Sequence, residues 1–96
     1  MSRQDSIGTH KTKVFTDETG ALCVKYYATT VAKRNADGSI MLNSGGYRTA
    51  TTKTRINQAL TVWGSPWRVY QQDFNWYVRD LSLQHPVDFA DGMVLR

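Results

Sequence analysis

The residues whose types and spacing best suit chemistry run from Asn43 to Gln58, NSGGYRTATTKTRINQ, where a glycine turn leads through four threonines and three cations into an amphipathic stretch. No Asp or Glu falls between Asp37 and Asp73. Whatever meets the start of a helix here meets hydroxyls, backbone N–H groups and positive charge, a combination that suits a phosphate or another anion. Lys53 and Arg55 place cations at the positive end of the helix dipole, which is unfavourable by about 0.3–1 kcal/mol each unless an anion supplies the missing charge. Ser44-Gly45-Gly46 adds a loop able to aim several N–H groups at one point. The expected phosphate contacts are therefore N–H and hydroxyl groups of Ser44, Gly45, Gly46, Thr49, Thr51 and Thr52, with charge from Arg48, Lys53 and Arg55. The same pattern has a purely structural reading: threonine caps, a Gly-Gly connection and a solvated cationic helix face. No GK[ST] closes the loop at Walker A spacing and no GxGxxG occurs, so nucleotide hydrolysis has no support.

A second set of residues lies in and just beyond the aromatic segment from Trp63 to Tyr77. Tyr70, Tyr77, Arg68 and Arg79 fall on one face of two alternating strands, opposite Trp67, Val69, Trp76 and Val78. The first face offers a platform for stacking bases or gripping a protein, and the second reads as core.

Catalytic and metal chemistry find little. His10 and His85 are far apart, and neither is spaced with another His, Cys or carboxylate as a metal helix requires. Asp17, Glu18, Asp37, Asp73 and Asp91 read as turn residues, and no nucleophile elbow flanks a Ser or the single Cys23. The expectation is a non-enzyme with no cofactor and no metal.

Charge and length bound the rest. The chain of 96 residues has net charge +4 and 41% hydrophobic content, which makes one domain spanning 1–96 with a single core, its first ten residues polar and expected to be flexible. The charge is uneven: +2 over residues 1–37, +4 over 38–72 and −2 over 73–96. A basic middle third favours a polyanionic partner unless the acidic tail covers it in three dimensions. One cysteine, no apolar run of about 20 residues and a polar start read as a soluble cytoplasmic protein with no membrane partner.

The elements that must position these residues are mostly strands. Lys11 to Thr16 and Ala21 to Lys33 flank the turn Asp17–Gly20, and Asn35–Gly38 turns the chain into Ser39 to Asn43. Leu22, Val24 and Tyr26 are the inward set on the second strand, with Ile40 and Leu42 inward on the third. Ile56, Ala59, Leu60 and Trp63 repeat with the helical period, Thr49 or Thr51 caps the start, and Gly64 with Pro66 supplies the stop. Trp67–Gln71 and Trp76–Arg79 form a hairpin about Gln72–Asn75, Ser82–Asp88 reads as a loop, and Asp91-Gly92 turns into Met93–Leu95. The expectation is an α+β domain of order β-β-β-α-β-β, an antiparallel sheet of about five strands plus a short C-terminal one, with one helix packed on a face.

The string IMLNSGGYRTATTKTRINQ, then VYQ, WYV and FADGM, resembles a family of small uncharacterised proteins encoded by bacteriophages and prophages. The likeness runs from about His10 to Leu95 and is carried by Asn43, Ser44, Gly45, Gly46, Arg48, Thr49, Thr51, Thr52, Lys53, Arg55, Asn57, Gln58, Tyr70, Trp76, Tyr77, Phe89, Asp91 and Gly92. It implies a phage origin and a bacterial host cytoplasm, and brings no catalytic residue with it. The function expected is a small accessory protein that binds nucleic acid or another phosphate-bearing ligand through Ser44–Arg55. The alternatives are an inhibitor that binds a host enzyme or defence complex, and a virion or assembly component.

Overall fold

The computed structural model describes residues 10–81 and 86–96. In chain order it contains β1 (Thr12–Thr16), β2 (Leu22–Tyr26), β3 (Thr29–Arg34), β4 (Ile40–Leu42), α1 (Ala50–Val62), β5 (Trp67–Gln72), β6 (Asn75–Asp80), β7 (Val87–Asp88) and β8 (Met93–Leu95). The α+β class with one helix and antiparallel strands is as the periodicity predicts. The strands divide into two sheets rather than one, β1-β2-β3-β4-β8 and β5-β6-β7.

Four strands precede the helix where three are expected, because Ala21 to Lys33 is broken in two. Tyr26 and Thr29 pair across a two-residue turn whose first member, Tyr27, has φ 55°. A turn with positive φ at that place normally takes glycine, and Tyr27-Ala28 carries no turn signal. A register shift after Val24 puts an extra residue into β3. That bulge is why the consecutive residues Val31 and Ala32 are both buried, which a regular strand forbids.

At the other end, Val87 and Asp88 pair with Val78 and Tyr77 as a short strand in place of the expected loop; Ser82 to His85 lie outside the described residues. The expected flexibility of residues 1–10 concerns, for residues 1–9, a segment that is likewise outside them. β8 pairs with β4, so the C-terminal segment leaves the second sheet and closes on the edge of the first.

The helix binds the two sheets into one core. Ile56, Ala59 and Leu60 are fully buried with Val24, Val31, Ala32, Ile40 and Leu42 from the first sheet and Val69, Trp76 and Val78 from the second. Each large aliphatic side chain so buried contributes about 1.5–3 kcal/mol. Trp63, Trp67 and Tyr26 pack against this cluster from its margin, and Leu22 is only half-buried. A Schellman stop ends the helix: Ser65 N–H bonds Leu60 O at 2.9 Å and Gly64 N–H bonds Thr61 O at 3.0 Å, with Gly64 at φ 70°.

Asn57 makes the seam between helix and second sheet. Its Nδ2 donates to Val69 O and its Oδ1 accepts from Val69 N–H, both at 2.8 Å. β5 is an edge strand, and this one amide side chain satisfies both backbone groups that Val69 turns away from β6.

Candidate functional site

Thr49 is the N-cap: its backbone is extended (φ −100°, ψ 163°) and its Oγ1 accepts from Thr52 N–H at 3.2 Å. The Thr49 and Thr52 hydroxyls also bond each other at 3.0 Å. One hydroxyl proton is used between them, and Thr52 is buried while Thr49 is exposed. No acidic residue occupies the first turn. Lys53 N–H begins the helical ladder on Thr49 O, and among the described residues the Ala50 and Thr51 amides take no protein acceptor, as expected of a helix start.

The glycine loop in front of this cap is occupied from within. Ser44 is 2% exposed, and both its N–H and its hydroxyl donate to Asp91 Oδ1 at 2.7 Å. Gly45 N–H donates to Asn43 Oδ1 at 2.7 Å, Gly46 N–H to Ser44 Oγ at 3.2 Å, and Tyr47 N–H to Ser44 O at 3.0 Å. The carboxylate missing from the surrounding sequence therefore arrives from the C-terminal segment, where Gly92 N–H is anchored on Leu42 O at 2.7 Å. Partial burial raises the Asp91 pKa, but the two Ser44 bonds and the Arg48 field outweigh it and hold the carboxyl below its ordinary value.

The cations fan out from the helix start. Arg48 lies over the rings of Phe89 and Trp76, at 5.0 and 5.8 Å, and Lys53 reaches Gln71 Oε1 at 3.5 Å from above Trp76. Arg55 turns the other way: its Nε donates to Thr12 Oγ1 at 2.9 Å, Nη1 to Gln58 Oε1 at 3.2 Å, and its guanidinium sits 5.8 Å from the Tyr26 ring centre. Among the described residues the ion pairs are Lys33–Asp17 and Arg96–Asp37, so Arg48, Lys53, Arg55 and Arg68 have no carboxylate within 4.0 Å. Among the described residues no carboxylate of the acidic tail pairs directly with the basic middle third, although Asp91 lies within the field of Arg48.

Beside the cap opens a groove of about 390 Å³ lined by Tyr26, Tyr27, Ala28, Thr29, Val31, Ser44, Tyr47, Thr49 and Thr52. It brings together Ser44, Thr49 and Thr52 of the expected set, with Gly45 packed against Thr29 behind them. Thr51 is half-buried on the helix and lies outside the groove. Its aromatic wall was not legible in the sequence, because it needs the turn at Tyr27-Ala28 to face Tyr47 across the fold.

On the second sheet Tyr70 and Tyr77 stack as a cross-strand pair, 5.5 Å between ring centres and 28° between planes. Arg79 is exposed beside them. Arg68 is folded onto its own chain, with Nη1 donating to Ser65 O at 2.7 Å and Trp67 O at 2.6 Å, so it contributes less to that face than its strand position suggests.

The family model described as Kyanoviridae Gp96 protein matches residues 1–96. The chain belongs to that family. It is thus one of a family of small phage-encoded proteins, as the NSGG-to-NQ segment and its companions imply. No curated protein and no solved structure matches it. In this family member no described helix is long and apolar enough to cross a membrane, and no three His, Cys, Asp or Glu of the described residues gather as a metal site.

Proposed function

We propose that this phage protein is a non-enzymatic accessory protein that binds nucleic acid, or another phosphate-bearing ligand, in the host cytoplasm at the end of the molecule where α1 begins. The observation that carries the reading is the unpaired charge there: Arg48, Lys53 and Arg55 surround the helix start with no carboxylate within ion-pair distance among the described residues. Phosphates release counterions when they meet such cations, and the free Ala50 and Thr51 amides with the Thr49 hydroxyl add directional donors. In this reading Ser44, Gly45 and Gly46 hold the cap in place, since their own donors are spent on Asp91, Asn43 and Ser44.

The test is binding of DNA and RNA oligonucleotides over a salt series. Replacing Arg48, Lys53 and Arg55 together by Gln should leave the fold intact, weaken binding and flatten the slope of log K against log salt by about 0.7–0.9 for each phosphate no longer neutralised. Unchanged affinity with the same slope would remove the helix start as the site.

The second reading, a grip on a host protein through the outer face of the second sheet, rests on the stacked Tyr70–Tyr77 pair. It predicts nucleic-acid affinity indifferent to Tyr77→Ala.

A further inference from the structure

The β5–β6 hairpin ends in a two-residue turn, Asp73-Phe74, with φ 51° and 68°. This is the left-handed pairing of a type I′ turn, whose usual sequences are Asn-Gly and Asp-Gly. Asp73 fits its place. Phe74 stands where glycine is normally required, and it is 94% exposed, the most exposed large hydrophobic residue among those described. Backbone strain and apolar exposure are independent costs, and a ring so exposed has little packing among the described residues to offset either.

The groove beside Thr49 is the complementary feature. Its wall includes Tyr47 and Tyr27, themselves 72% and 61% exposed, with Tyr26 and Val31 deeper. At about 390 Å³ it has ample room for a phenyl ring, since a cavity of roughly 150 Å³ takes benzene. Among the described residues no acidic side chain lines it, and Arg55 stands over the ring of Tyr26, one of its walls. A ring delivered by a turn that also carries Asp73 fits it in size, and the Asp73 carboxylate is opposite in sign to Arg55.

The hairpin arm that carries the knob and the wall of the groove both reach the start of α1. Lys53 ties the hairpin arm at Gln71 to the first turns of α1, while Thr49 and Thr52 of the same helix start line the groove. Two such surfaces can be exchanged reciprocally about a two-fold axis, the closed and commonest form of self-association. We propose that two copies of this chain form such a dimer, each inserting Phe74 into the groove walled by Tyr27 and Tyr47 of the other. This goes beyond the phosphate reading and does not depend on it.

The experiment uses the full chain freed of nucleic acid. Sedimentation equilibrium up to about 1 mM, the weak end of specific association, should show a mass rising from the 10.9 kDa of one chain toward twice that and stopping there. F74G should weaken self-association at least tenfold, as loss of an aromatic anchor does, while raising the thermal midpoint at micromolar concentration, where both chains are monomeric, because glycine relieves the turn. In a mixed sample of labelled and unlabelled chains, intermolecular NOEs should join the Phe74 ring to Tyr27 and Tyr47. A mass that stays at one chain, a mass that grows past two, a dimer that survives F74G, or intermolecular NOEs confined to other residues would each overturn the proposal.

Discussion

Replacing Asn57 tests how the helix is joined to the second sheet. Its side chain makes two hydrogen bonds of 2.8 Å to the backbone of Val69, a residue 3% exposed on the edge strand β5. Removing one partner of a buried backbone donor or acceptor costs about 1–3 kcal/mol, so Asn57→Ala, which strands both, should cost about 2–5 kcal/mol. That is a large share of the roughly 5–15 kcal/mol that holds a domain together. With an m-value of about 1–3 kcal/mol/M, the urea midpoint should fall by about 0.7–5 M. Asn57→Asp sharpens the test through pH. The new carboxyl can copy both bonds only when protonated, because its ionised form sets an oxygen against Val69 O where the amide placed a donor. Its folded pKa is therefore raised above the ordinary Asp value near 3.9. Relative to the wild type at the same pH, the variant's deficit is smallest below pH about 4 and grows as pH rises through the folded value. Urea titrations of both variants and the wild type at pH 3.5, 5 and 7, read by circular dichroism, decide the matter. A deficit under about 0.5 kcal/mol, or an Asn57→Asp deficit independent of pH, would refute the seam.

Two further expectations concern the loop and the turns. Gly45→Ala should destabilise by about 1–3 kcal/mol in the same assay, because Gly45 has φ 64° and an added Cβ would collide with Thr29 Oγ1 and Cγ2; adding Thr29→Ala should recover only the steric part. The wild type should lose stability as pH falls below about 4: the Thr19 hydroxyl foremost, then the Ala21 amide, Lys33 and the Thr19 amide, hold Asp17 far below its ordinary 3.8 against partial burial. Ser39 does the same for Asp37, and Ser44 with Arg48 for Asp91. Depressed carboxyl pKa values give stability that is present above the unfolded value and lost as pH falls through the folded one. Asp91→Ala should remove part of that acid limb and leave the neutral-to-basic range flat at a lower level, as a pH series of thermal midpoints would show.

Local periodicity and chain chemistry determined much of this protein from sequence alone. The helix over Ala50–Val62, a threonine cap at Thr49 or Thr51 and the Gly64 stop follow from the apolar spacing of Ile56, Ala59 and Leu60 and from residues that act on their immediate neighbours, and the structure settles the cap on Thr49. So do the hairpin register that stacks Tyr70 on Tyr77 and the inward faces of Ile40 and Leu42. Tertiary structure alone decided what depends on distant segments. The turn at Tyr27-Ala28 has no local signal and is imposed by the pairing of β2 with β3. The division into two sheets goes with β8 pairing at the edge of β4 and with Asn57 bonding the edge of β5, where no described strand adds. The site shows the same split. Its cations and threonines were visible as a run, but the state of the glycine loop was not, because the carboxylate that takes up Ser44 is Asp91, 47 residues away. Sequence spacing fixes which groups share a face of one element. Which groups become partners is set by the core that brings those elements together, since a hydrogen bond or ion pair reaches only a few ångströms and takes no account of distance along the chain.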